Sequence, residues 1–267
     1  MTIQYEGPLY YNEYDMIQRG FIKDYQPIGI RYHVQEDDTV CIDFIEQTNA
    51  AYDSCYLPGE IEGKPVTRLG DGKSACIADG GFNYVCLPDC LTAISDYAFL
   101  NVRSMSGIYS YHKLNVAEIG LQAFYGTSMQ ANAERGHGAI YVGSILYRCF
   151  AQSESFTVSE TCTQIAADAF AHNHAVSEIV MPEALTAIGD GAFYDCTALR
   201  QITVPDTVTA LGTGAFVNCG ALEQAALGSG LKEIGDDLFY GCDALKTVTA
   251  PKGSQAESWC KANGLIK

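Results

Sequence analysis

Ile179-Val180-Met181-Pro182-Glu183-Ala184-Leu185-Thr186-Ala187-Ile188-Gly189-Asp190-Gly191-Ala192-Phe193-Tyr194-Asp195-Cys196-Thr197-Ala198-Leu199 has a second copy 23 residues on, beginning Ile202-Thr203-Val204-Pro205 and running to Leu222. A third runs from Ala225-Ala226-Leu227 to Phe239, Cys242 and Leu245. Each copy opens on a short alternating stretch, as a strand with one buried face requires. A proline or turn residue ends the strand where no ladder bond is needed. An aliphatic residue, a small residue and Ala-Phe follow. The small residue implies either close backbone approach or positive φ. The phenylalanine fills the space between layers.

The same ladder extends backwards through Leu69, Ile94, Ile119, Val142, Ile165, Ile188, Leu211 and Ile234, at spacings of 25, 25, 23, 23, 23, 23 and 23. Five positions after each rung stand Ser74, Phe99, Phe124, Tyr147, Phe170, Phe193, Phe216 and Phe239. A fixed period in this range is the mark of stacked repeats, in which no single coil buries its apolar face alone. The expected fold is therefore an α/β repeat solenoid of about eight coils. The rung at Val142 is weak, with tyrosine in place of phenylalanine. Residues 100–156 depart most from the pattern, either as degenerate coils or as a functional loop. Within them Asn132 to Gly138 reads as an exposed loop.

The flanks read differently. Tyr5, Tyr10, Tyr11, Tyr14 and Tyr25 crowd the first 27 residues, with a short helix expected between Tyr14 and Ile22. This extension either packs on the first coil or presents a tyrosine surface. Ile30, Tyr32 and Val34 alternate, then Val40, Ile42 and Phe44, around Glu36-Asp37-Asp38; this predicts a β-hairpin. A hairpin there covers the open edge of the stack. At the other end, Ser254 and Glu257 form a capping-box pattern and Gly264 a stop, so a terminal helix should carry Trp259 onto the last coil. The expected organisation is 1–62 extension and hairpin cap, 63–250 repeats, and 251–267 capping helix.

The repeat resembles the BspA-type leucine-rich repeat family of bacterial proteins. The matching residues are Pro182…Leu185-Thr186-Ala187-Ile188-Gly189-Asp190-Gly191-Ala192-Phe193…Cys196…Leu199, and Pro205…Val208-Thr209-Ala210-Leu211-Gly212-Thr213-Gly214-Ala215-Phe216…Cys219…Leu222. Gly63-Lys64-Pro65-Val66-Thr67 looks like the family's entry into its first repeat. The resemblance implies a right-handed curved coil with a parallel β-sheet on its concave face. It also implies an adhesion or interaction protein, mostly secreted or at the cell surface.

Composition narrows the function. Thirty-two acidic residues against 16 basic ones give a net charge of −16. Such a field opposes phosphate backbones and anionic lipid, so no nucleic-acid partner is expected. No apolar run of spanning length occurs, so no membrane insertion is expected. The N-terminus shows no basic and apolar signal pattern, which points to the cytoplasm; the resemblance points instead to secretion or the cell surface. Eleven cysteines, an odd number, lack the paired spacing of a disulfide scaffold and read as free thiols.

Candidate chemistry is sparse. Cys196, Cys219 and Cys242 recur every 23 residues, but Asn173, Thr127 and Val102 hold the same place, so packing is the reading. Cys86 and Cys90 have three residues between them and no second pair at zinc spacing. His172 and His174 fall in register with Asp195 and Thr197: two imidazoles on one side of a segment, or a plain surface turn. His33, His112 and His137 read as isolated. No phosphate loop, nucleophile elbow or zinc-protease motif is present, so no cofactor, no metal and no enzymatic activity are expected.

The strand positions expected on the concave face are Ser155, Thr157, Glu178, Val180, Gln201, Thr203, Gln224, Ala226, Thr247 and Thr249. Glu178, Gln201, Thr203, Gln224 and Thr247 are the candidate binding residues. The expected function is non-enzymatic protein–protein interaction, of adhesion type by resemblance. A glycan is the alternative ligand, and a spacer role within a larger surface assembly is the alternative function.

Overall fold

Stacked coils with parallel sheets make up the computed structural model, which describes residues 3–6, 28–47, 54–78, 82–110 and 113–267. The expected helix between Tyr14 and Ile22 lies outside these residues. The chain divides into two units, Met1–Asn132 and Ala133–Lys267.

In the second unit each coil contributes two strands. The two-residue strands Gln164–Ile165, Ala187–Ile188, Ala210–Leu211 and Glu233–Ile234 pair in parallel, placing Ile165, Ile188, Leu211 and Ile234 side by side. The three-residue strands Ser155–Thr157, Glu178–Val180, Gln201–Thr203, Gln224–Ala226 and Thr247–Thr249 form a second parallel sheet. Between the sheets Phe170, Phe193 and Phe216 are wholly buried. Successive rings stack at 5.0, 5.2 and 5.5 Å from Phe170 through Phe239. One aromatic column thus spans four coils.

The small residue after the rung is required by close approach. A Cβ on Gly212 would lie 2.4 Å from the Asp190 nitrogen, and one on Gly235 2.3 Å from the Thr213 nitrogen. Neither glycine has positive φ. The turn instead places positive φ two residues before the phenylalanine, at Asp168, Gly191 and Gly214, and two residues after it, at His172, Asp195 and Asn218.

The weak rung is displaced. Ala139–Val142 pairs antiparallel with Ile145–Cys149, and the residue opposite Ile165 is Leu146, not Val142. This stretch is a hairpin whose second strand begins the parallel sheet. Ser128–Arg135 is helical, so the expected loop at Asn132 starts inside a helix. The Thr127 hydroxyl accepts from the Gln130 amide at 3.1 Å, the usual way to satisfy a helix start.

The first unit repeats the plan. Ile28–Val34 and Val40–Gln47 form the expected hairpin, joined at its outer edge by Ile3–Glu6. Val40–Gln47 then pairs in parallel with Lys64–Leu69, and the rungs continue through Ala93–Ile94 and Glu118–Ile119. Ile42 is therefore the rung before Leu69. The hairpin departs from simple alternation at Phe44. An irregularity between Arg31 and Tyr32 shifts the phase, so Ile45 is buried and Phe44 is half-buried beneath the Arg31 guanidinium. Ser54–Tyr56, Tyr84–Cys86 and Gly107–Tyr109 form this unit's three-residue parallel sheet.

Gln255–Ala262 is the terminal helix. Ser254 Oγ accepts from the Glu257 amide at 3.0 Å, and the Glu257 carboxylate accepts from the Gly253 amide. At the far end the Leu265 amide donates to Cys260 and that of Gly264 to Lys261, with Gly264 at φ +70°. Trp259 packs against the core of the second unit.

Candidate functional site

Alternation in the three-residue strands turns one residue inward and its neighbours outward. Ile179, Ile202, Ala225 and Val248 are buried, while Glu178, Gln201, Thr203, Gln224 and Thr247 are all exposed. The register is exact to the residue: Glu178, Gln201, Gln224 and Thr247 stand opposite one another across four strands. Thr203, Ala226 and Thr249 form a second row. Thr157 stands opposite Val180, which is exposed. All five candidate binding residues lie on one sheet face.

Charges flank the first row at Arg200, Glu223 and Lys246. Lys246 Nζ donates to Glu223 at 2.9 Å, and this bond holds the Glu223 carboxyl below its usual range. The pair is solvent-exposed and contributes little to stability. The face therefore carries one carboxylate, Glu178, at the start of its first row, is otherwise uncharged along its rows, and is charged along one margin.

The corresponding sheet of the first unit is different. Tyr56, Tyr84 and Tyr109 occupy it, with Tyr56 and Tyr109 edge-to-face at 6.1 Å. Tyr84 is exposed, and its ring edge lies 3.3 Å from where a Cβ on Gly107 would be. Sequence reading missed this surface. The signal was Pro88, which sets Tyr84-Val85-Cys86 in the phase of Glu178-Ile179-Val180 before Pro182.

The isolated reading of His33 needs correction. Hairpin pairing puts His33 opposite Cys41, and His33 Nδ1 lies 2.8 Å from Asp43 Oδ1. Thiol, imidazole and carboxylate thus line one cavity of about 590 Å³, together with Arg31, Arg68 and Asp96. The thiol is not activated. Cys41 is buried, donates to the Gly70 carbonyl at 3.3 Å, and is pushed by burial up to about 12. A nucleophilic cysteine needs the opposite shift.

Cys196, Cys219 and Cys242 donate to the carbonyls of Phe170, Phe193 and Phe216, each at 3.1 Å. Asn173 and Thr127 at the same place bond the Ala151 and Phe124 carbonyls. With Val102 also buried here, the position selects a small buried side chain, and those with a donor bond a nearby carbonyl. Cys90 donates to Gly59 and Val66 carbonyls and is not beside a metal-binding partner set among the described residues. His172 and His174 come together with Asp195 and Thr197, as their register implies.

In each unit, two sheets with short parallel strands, phenylalanines stacked between coils and one aliphatic rung per coil define a leucine-rich repeat solenoid. The chain belongs to the BspA type leucine-rich repeat family: the family model matches residues 72–172 and 141–260, in six copies. No curated protein matches the chain. Among solved structures it is similar to a leucine-rich repeat protein of T. pallidum, at 21% identity over 83% of this chain and 80% of that one, with a TM-score of 0.34. It is similar to a leucine-rich repeat protein of Eubacterium ventriosum, at 18% identity over 94% and 78%, with a TM-score of 0.41. A leucine-rich cell surface protein of Faecalibacterium prausnitzii matches at 15% identity over 86% and 94%, with a TM-score of 0.38.

Proposed function

We propose that the chain is a non-enzymatic binding protein whose ligand is another protein, held on the outer face of the strands from Glu178 to Thr249. The observation that carries this reading is the register. Glu178, Gln201, Gln224 and Thr247 form an exposed row of hydrogen-bonding side chains with no partner role in the stack. The buried side chains already hold the coils together, so these positions are available to a ligand. A row of one carboxylate, two amides and a hydroxyl suits main-chain and side-chain hydrogen bonds of a protein surface, with the Arg200–Glu223–Lys246 margin aligning charge. The locked thiol of Cys41 supports the non-enzymatic part of the reading.

Membership in the family supports an interaction role. The cell surface is the proposed site of action, as the family resemblance implies; no helix among the described residues is long and apolar enough to cross a membrane.

The test is affinity capture from the native cell with wild-type chain and with the Gln201→Lys/Gln224→Lys variant. The expected result is a partner lost by the variant, sensitive to protease and insensitive to deglycosylation of the extract. Loss on deglycosylation would make the ligand a glycan. Retention by the variant, with loss on changing Tyr84, would move the site to the first unit.

A further inference from the structure

Among the described residues, two side-chain sets bring three metal-ligating atoms within 4.8 Å of one another. In the set at His33 the Cys41 thiol is buried and already bonded to the Gly70 carbonyl. The other is open. His172 Nδ1 is 2.9 Å and His174 Nε2 3.8 Å from the same Asp195 Oδ2. We infer that His172, His174 and Asp195 form a binding site for a first-row transition-metal dication, zinc or copper, that pins two consecutive coils together.

Several features support the assignment. The donor set is two imidazoles and a carboxylate, which suits zinc and copper over magnesium or calcium. Tetrahedral ligands at zinc bond lengths stand about 3.3 Å apart, between the two distances observed. The rings are also oriented. His174 Nδ1 lies 2.8 Å from Thr197 Oγ1, which leaves Nε2 to face Asp195; such outer bonds fix the tautomer of a ligating histidine. Tyr194 packs edge-on against His172 at 5.3 Å and limits its rotation. Positive φ at both His172 and Asp195 aligns the two turns so that residues 23 positions apart meet. Both histidines are more than half exposed, so an ion has access and a fourth position stays open to water. The three ligands span two coils, which makes the ion a cross-link rather than a decoration of one turn.

The experiment uses the full chain without a purification tag, reduced and freed of metal by chelation. It is titrated with Zn²⁺ by calorimetry and with Co²⁺ by absorption, beside His174→Gln, Asp195→Asn and His33→Gln variants. One equivalent of Zn²⁺ should bind at micromolar affinity, weakened at least about tenfold by His174→Gln and by Asp195→Asn and unchanged by His33→Gln. The Co²⁺ spectrum should lack the near-ultraviolet band of thiolate ligation. Saturating Zn²⁺ should raise the melting temperature of the wild type and not of His174→Gln, the two melting alike in chelator, because an ion that binds only the folded state stabilises it. Equal affinity in His174→Gln, a thiolate band, or no binding below 100-fold molar excess overturns the assignment.

Discussion

Phe193 lies flat on Phe216, with ring centroids 5.2 Å apart and planes 6° from parallel. The two rings belong to successive coils and are wholly buried. Each coil therefore completes the core of its neighbour, and a defect in one is felt in both. Removing the Phe216 ring should cost about 3–5 kcal/mol, the range for deleting a buried aromatic side chain. Urea denaturation of Phe216→Ala checks this, read at the second unit through Trp259 fluorescence; a loss below 1 kcal/mol would mean that the column does not hold the stack.

Coil spacing is limited by backbone contact after the rung. An alanine at Gly212 puts its Cβ 2.4 Å from the Asp190 nitrogen, whereas nothing lies within 4 Å of one at Gly220. Gly212→Ala should therefore destabilise by about 1–3 kcal/mol or more, as overpacking does, and Gly220→Ala by less than about 0.5 kcal/mol. Parallel denaturation curves of the two variants decide it. Similar losses at both sites would assign the effect to general glycine loss instead of contact.

The buried thiols predict a pH dependence. Burial pushes Cys149 up to about 11 and Cys86 up to about 12 from an ordinary 9.0. A raised folded-state value means the unfolded chain gives up its protons first. The stabilisation is full below pH 9 and is lost as pH rises through 11 to 12. The urea midpoint should hold steady between pH 6 and 8 and fall above pH 9. Thiol reagents at pH 8 should label Cys90, which is half-buried, ahead of the ten buried cysteines.

Ser254 and Glu257 satisfy the first amides of the terminal helix. Ser254→Ala should cost about 1 kcal/mol. Its effect should appear as faster native-state proteolysis after residue 254, with protection elsewhere unchanged. Uniformly faster cleavage along the chain would show that the helix is part of the global unfolding unit.

The regular coils were legible because each repeats one short physical solution: strand, turn, rung, glycine, phenylalanine. Register alone then placed Gln201 beside Gln224 and His172 beside Asp195. The hairpin at Ala139–Cys149 was not legible. Its two strands carry Val142 and Leu146, either of which satisfies a rung by composition, and only pairing with Ile165 decides between them. Phe44 misled for a related reason, since one irregularity reverses every later position of a strand. The tyrosine face of the first unit was hidden because Gly107 and Cys86 break the pattern that marks the later strands. Asp43 beside His33 required the hairpin pairing itself, and the Asp195 contribution to a metal site required two coils to be superposed.

On the proposed function, the exposed row on the three-residue strands binds a protein while the buried residues alone hold the fold. The most direct measurement is the affinity of the captured partner for purified Gln201→Lys/Gln224→Lys, beside a control double variant, Glu183→Lys/Tyr240→Ser, whose residues are exposed outside this sheet. The first variant should melt like wild type and bind more than about tenfold more weakly, a loss of about 1.4 kcal/mol or more, while the control binds normally. Equal affinity of the sheet variant and the wild type, with both correctly folded, would contradict it.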